Sequence, residues 1–362
     1  MKTKLSYKIA CFLIALPLLV MAHTSPWNGK HTKDKVIKRE FKVDKNANLS
    51  VDNSYGNVDV ITWNENRIVF EITITTNGND ADKVQNKLDD ITVEFESSPS
   101  QVSAKTIFTK SKSKWWNWNG ADNVNMKINY LIKMPITNSV NLSNDYGAIN
   151  LDKLEGHAKI SCDYGKITTK ELMADNNEIH FDYTKNSYFE YIKSGKINAD
   201  YSEFTVAKTK DLFINADYTK SKVEIAENAS YNCDYGSMTI DKVNNFKGEG
   251  DYLTVVIGDV YKSVNINADY GSIKIKNMTA NANNISIDSD YVGIKIGYDP
   301  NYHFKFELDL DYADIRDQDD FQFDIKRSDS SEKYYKGYYG SANTSNLIKI
   351  NSDYGSISFV KN

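Results

Sequence analysis

Apolar and polar positions alternate along most of this chain, and the alternation breaks at regular places. Residues 264–275, VNINADYGSIKI, show the unit: an alternating run, a break at Asp269-Tyr270-Gly271, and a second alternating run. Aligned on the tyrosine, one template returns, with apolar residues six and four before it and a small residue two before. Asp comes immediately before the tyrosine, and apolar residues lie three and five after. Tyr55, Tyr146, Tyr164, Tyr183, Tyr201, Tyr218, Tyr235, Tyr252, Tyr270, Tyr291, Tyr312 and Tyr354 carry it. From Tyr146 to Tyr312 they recur every 17 to 21 residues; the last gap, to Tyr354, is 42. That spacing accommodates two or three short strands plus corners, the coil of a solenoid, in which each unit buries its apolar face only against copies of itself. Val264, Ile266 and Ala268 share one parity and Ile273 and Ile275 the other, so the chain bends at the tyrosine. The long last gap predicts a degenerate unit near Tyr334 and Tyr335. Eleven steps at ~4.8 Å make a rod of about 50 Å.

Between the first tyrosine and the second the pattern changes. Residues 67–75 (RIVFEITIT) alternate as a strand, and Asn79 or Asp80 can cap a short helix through Leu88, with Ala81, Val84 and Leu88 at helical spacing. Residues 91–97, 101–109 and 124–134 read as three further strands, turned at Pro99 and broken by KSKSKWWNWNGAD. These predict an antiparallel layer over the first end of the solenoid, where a terminal coil otherwise exposes apolar side chains and unpaired strand edges. The expected organisation is a signal peptide over 1–22, a flexible leader over 23–38, a first coil with its capping strands and short helix over 39–138, and solenoid repeats over 139–362.

Composition sharpens this. Five prolines, eighteen glycines and 24 tyrosines suit many short strands joined by polar turns, an all-β class. The N-terminus runs from basic MKTKLSYK into apolar IACFLIALPLLVMA, ending in Val20-Met21-Ala22, which predicts export. No second apolar stretch follows, so no membrane span is expected in the mature chain. The formal charge of −5 becomes −8 once Lys2, Lys4 and Lys8 are removed, leaving no electrostatic reason to bind nucleic acid or an anionic membrane. Cys162 and Cys233 occupy the same template position four units apart, roughly 19 Å at strand spacing, beyond disulfide reach. They are expected to be reduced core residues.

Three features invite a chemical reading. Asp145, Asp163, Asp182, Asp200, Asp217, Asp234, Asp251, Asp269, Asp290, Asp311 and Asp353 form a row, expected to accept hydrogen bonds within their own turns; the alternative is a file of weak Ca²⁺ sites, with Asp309, Asp311 and Asp314 as metal candidates in an aspartate-dense stretch. The tyrosine row reads as a half-buried corner ladder, with a sugar-binding platform as its alternative. Trp115, Trp116 and Trp118, interleaved with Lys110, Lys112 and Lys114, are the best local candidate for a ligand surface, unless they pack on the solenoid end. No catalytic residues are assigned: His157, His180 and His303 stand apart, no nucleophile or zinc spacing occurs, and the carboxylates are periodic where an active site needs one distinct locality. No cofactor is expected beyond that weak Ca²⁺ alternative.

The Tyr-Gly turns between alternating strands, Asn129-Tyr130 running into Lys133-Met134-Pro135, and copies such as SDYGSISF (352–359) resemble the adhesin-like β-solenoid proteins of unknown function from bacterial envelopes, over roughly residues 36–361. The resemblance implies a single-stranded, right-handed β-solenoid (β-helix) and no catalytic residues. The combined reading is a non-enzymatic exported protein of the periplasm or cell surface, an adhesin or interaction scaffold with a glycan or envelope protein as partner. The alternatives are a carbohydrate-active lyase or hydrolase on the same scaffold and a periplasmic partner in envelope signalling.

Overall fold

The computed structural model describes residues 27–109, 124–317 and 319–362. The first strands are β1 (His31–Lys42), β2 (Asn48–Ser54), β3 (Val58–Trp63) and β4 (Arg67–Gly78), followed by helix α1 (Ala81–Asp89). Next come β5 (Ile91–Ser98), β6 (Gln101–Phe108), β7 (Asn125–Pro135), β8 (Ser139–Asp145) and β9 (Ala148–Leu151). The repeats supply β10 (Ala158–Asp163), β11 (Lys166–Leu172), β12 (Asn177–Asp182), β13 (Ser187–Asp200), β14 (Glu203–Asn215), β15 (Lys220–Asn232), β16 (Ser237–Asp251), β17 (Thr254–Met278) and β18 (Ile285–Tyr298). The chain ends in β19 (Phe304–Asp311), β20 (Asp314–Arg316), β21 (Gln322–Asp329), β22 (Glu332–Tyr339), β23 (Leu347–Asp353) and β24 (Ser356–Lys361). Among the described residues the protein is all-β apart from α1, and its mostly parallel sheet with a stacked tyrosine column is consistent with a β-solenoid.

The coil is legible in one repeat. From Tyr218, the buried residues are Thr219, Ser221, Val223, Ala226, Ala229, Tyr231 and Cys233. Inward spacing is two along each arm and three at the bends, where two successive side chains face out. Each arm then pairs in parallel with its copy one coil on, as Phe204 with Ser221 and Ile214 with Tyr231. The apolar interior is one continuous cluster from Val43 to Phe359.

The ends depart from simple succession. β1, β4 and β7 pair antiparallel while β7 also pairs in parallel with β3, and the β5–β6 hairpin joins the stack through β6 on β2. α1 starts where the sequence predicts, Asp80 accepting from the N–H groups of Asp82 and Lys83. β1 begins at His31, within the stretch expected as a flexible leader: β4 carries a long free edge, and this segment pairs with it along twelve residues. At the other end, β23 and β24 insert between β18 and β19–β20, so the last coil in sequence is the penultimate one in space. The expected degenerate unit near Tyr334 and Tyr335 is therefore not a coil. Those residues lie in β22, which runs antiparallel to β19 and β21, and Tyr335 is buried.

Candidate functional site

The corner at each tyrosine is built by the tyrosine itself. All twelve adopt a left-handed conformation, with φ between 49° and 64°. Such a residue costs roughly 1–2 kcal/mol of strain, and it switches which parity faces inward. The glycine that often follows serves another need, room for the neighbouring coil's backbone. A Cβ on Gly147 would lie 1.7 Å from the Gly56 carbonyl oxygen, and one on Gly271 2.1 Å from that of Leu253. Where glycine is replaced, hydroxyls exploit the contact: the Thr184 N–H donates to Ser202 Oγ at 3.0 Å and the Ser202 N–H to Thr219 Oγ1 at 3.1 Å.

Two cross-coil hydrogen bonds offset the strain. Nine of the tyrosines donate their N–H to the carbonyl of the aspartate one coil on, as Tyr201 to Asp217 at 3.0 Å and Tyr235 to Asp251 at 3.0 Å. The aspartate side chain does likewise in reverse: Asp182, Asp200, Asp217, Asp234 and Asp251 donate their N–H to the carboxylate of the preceding coil's aspartate, at 2.8–3.1 Å. The row therefore does not cap its own turns, as expected from sequence; it stitches neighbouring coils. Burial, then the neighbouring aspartates, hold the Asp145, Asp251 and Asp353 carboxyls above the ordinary value.

The rings project outward from this corner. Consecutive centroids lie 4.7–5.2 Å apart with interplanar angles of 1–8°, in the order Tyr55, Tyr146, Tyr164, Tyr183, Tyr201, Tyr218, Tyr235, Tyr252, Tyr270, Tyr291, Tyr354, Tyr312. The ladder tyrosines are 37–60% exposed, because the tyrosine and the residue before it both face out at the bend. Ring faces inside the column are covered by one another, so a sugar has no face to stack on along its length.

Beside the column a shallow groove of about 910 Å³ runs over the outer face of β8, β10 and β12–β15, walled by Lys159, Glu178, His180, Lys196, Asn198 and Phe213. The Lys196 ammonium sits 5.3 Å over the Phe213 ring and Lys159 pairs with Glu178 at 3.4 Å. At its rim Asp163, His180 and Asp182 bring one ligand atom each within 4.8 Å of one another, the group among the described residues that could hold a metal ion. One oxygen of each aspartate is taken by the next coil's N–H, and His180 Nε2 lies 3.7 Å from Asp182 Oδ2. Sequence reasoning passed over His180 because only the strand register brings it beside two aspartates of different coils.

The residues singled out from sequence fare differently. Trp115, Trp116 and Trp118 lie outside the described residues. Asp309 is exposed on β19, Asp311 ends that strand, and Asp314 pairs with Lys333 at 2.9 Å. Cys162 and Cys233 are buried free thiols, as expected, pushed up by burial to about 12 and about 11.

No protein-family model matches the chain, and no curated protein matches it. Among solved structures it is similar to a "putative lipid binding protein" from Parabacteroides distasonis, at 11% identity over 92% of this chain and 98% of that one, with a TM-score of 0.31. It is also similar to a "putative adhesin" from Bacteroides fragilis, at 14% identity over 91% and 97%, TM-score 0.25, and to a "putative cell adhesion protein" from Clostridium sporogenes, at 11% over 91% and 100%, TM-score 0.17. Proteins described in adhesin terms are thus among those it resembles, as its repeats imply. At these identities and scores the likeness carries no functional argument.

Proposed function

We propose that this chain is a non-enzymatic, exported scaffold of the bacterial envelope that acts by adhesion. In this reading residues 1–22 are a signal peptide, 39–138 hold the first coil with a capping layer of antiparallel strands and α1, and 139–362 are solenoid repeats, with a leader shorter than 23–38 because β1 begins at His31. The coil is right-handed, and the mature chain works in the periplasm or at the cell surface, on a glycan or an envelope protein. No helix of the described residues is long and apolar enough to cross a membrane.

One observation carries the reading: the outer surface repeats with the coil. Twelve rings, the aspartate row and the cross-coil hydrogen bonds recur at strand spacing, which makes a stiff rod with identical functional groups at fixed intervals. Such a rod suits presentation and multivalent contact; catalysis needs one locality unlike the rest. The test is binding of the full mature chain to a glycan array and to isolated envelope proteins, alongside a variant with Trp115, Trp116 and Trp118 all replaced by Ala. Capture of a ligand without turnover is expected, weakened in the triple variant. Cleavage of any arrayed glycan would overturn the non-enzymatic reading.

A further inference from the structure

The two ends of the tyrosine column are built differently. At the first, Phe108 meets Tyr55 edge-on at 6.1 Å, and Tyr55 is the least exposed ladder ring at 37%. At the other, Tyr312 rests on Tyr354 at 4.7 Å and 2° and is the most exposed at 60%. Beyond it comes the β21–β22 turn. The Tyr312 N–H donates to the Ser331 carbonyl at 3.0 Å, the bond that other ladder tyrosines make to an aspartate one coil on. Because β22 runs antiparallel to β19, with Glu332 opposite Asp311, Ser331 stands opposite Tyr312, and the tight β21–β22 turn at Ser330 and Ser331 lays no further ring over it. Ser330 holds a left-handed backbone, φ 47°, as a two-residue hairpin turn requires.

A recess of about 580 Å³ opens there, lined by Tyr312, Asp314, Arg316, Ser330, Ser331 and Lys333. We propose that it binds one pyranose ring of a glycan, stacked on the outer face of Tyr312. The pieces match the chemistry of that ligand. A pyranose presents a face of C–H bonds, which the negative face of an aromatic ring attracts. Its equatorial hydroxyls radiate in the ring plane, where Asp314 can accept and Arg316 and Lys333 can donate. Asp314 and Lys333 pair with each other at 2.9 Å and keep lone pairs and N–H groups to spare, which a ring bearing hydroxyls can use and a bare aromatic ligand cannot, and the volume falls within the range of small-ligand sites. Such a site gives the adhesive reading above a ligand class and a location, at the tip of the rod, and it rests on that reading.

The test is a printed array of mono- to tetrasaccharides (hexoses, N-acetylhexosamines and uronates) probed with the full mature chain. The wild type is expected to be captured by at least one glycan, and Tyr312→Ala to weaken that capture about tenfold, the size of one stacking contact. Tyr312→Phe keeps the face and should bind within about twofold of wild type, again because the stacking contact is retained. Ser330 lines the recess, so Ser330→Tyr puts bulk into it and capture should be lost while the melting temperature stays near that of wild type, which separates blocked binding from misfolding. Capture of no glycan by the wild type, or equal capture by wild type, Tyr312→Ala and Ser330→Tyr, overturns the site. If the triple Trp→Ala variant alone loses capture, the Tyr312 site falls and the adhesive reading stands.

Discussion

A single aspartate in the row does two opposing things. Its carboxylate accepts an N–H from the next coil, and its charge opposes the carboxylates above and below, by roughly 0.8 kcal/mol at 5 Å in water before salt screening. Asp217, which accepts from Asp234 at 2.8 Å, allows the two to be separated. Asp217→Asn keeps an acceptor oxygen and removes the charge, so its melting temperature should equal or exceed wild type. Asp217→Ala loses the acceptor and should be destabilised by about 1 kcal/mol, the net value of one such bond. Urea titration of the three proteins checks the order; Asn and Ala equally destabilised would show that charge, not the hydrogen bond, holds the row. The buried thiols give a second residue-scale outcome. With Cys162 pushed to about 12 and Cys233 to about 11, thiolate is scarce at pH 8, and burial blocks access. A disulfide reagent should label neither in the native state and both in denaturant; native labelling of either would place that thiol outside the core.

At the scale of the coil, register dominates. Deleting residues 218–234 removes one whole unit and joins Asp217 to Tyr235, restoring the Asp-Tyr junction, so the shortened chain should fold with a melting temperature within a few degrees of wild type. Deleting one residue fewer turns every following side chain to the wrong face and should abolish cooperative unfolding. Circular dichroism melts distinguish the two; equal behaviour would mean that coils do not share one core. This is also why so much of the architecture was legible in the sequence. Burial with period two, interrupted at each tyrosine, reads directly from apolar positions, and Cys162 and Cys233 could be separated by counting units. Two things were hidden. The left-handed tyrosine is invisible because nothing in its side chain requires that backbone. The insertion of β23–β24 beneath β19 is hidden because stacking order follows from which edge is free, and Tyr354 and Tyr312 carry the same template. The recess at Ser330 follows from that same swap, since it leaves Tyr312 outermost.

For the whole molecule, the row makes stability depend on pH in a direction opposite to ordinary acid denaturation. Asp145, Asp251 and Asp353 hold their protons more tightly in the folded chain than the ordinary carboxyl value of 3.8, through burial first and neighbouring aspartates second. Between that value and the raised ones the folded state binds more protons than the unfolded, so the contribution of these groups to stability falls as pH rises through the window and returns as pH falls. Asp80, whose carboxyl is held below the ordinary value by the Lys83 N–H at the N-cap, acts the other way, its contribution being lost as pH falls through its lowered value. Asp314, which burial pushes up and the Lys333 ammonium pulls further down, acts with Asp80. Three raised members of one periodic row against these two separate groups predict a melting temperature that rises as pH falls from neutrality through the raised carboxyl values toward the ordinary one. Added salt at pH 7 should raise it too, by screening the same repulsion. Asp145→Asn, Asp251→Asn and Asp353→Asn combined should flatten both responses while leaving the ladder intact. A melting temperature that falls steadily over this range, in wild type and triple variant alike, would mean that the row carries too little mutual repulsion to matter and that the exposed ion pairs set the acid response.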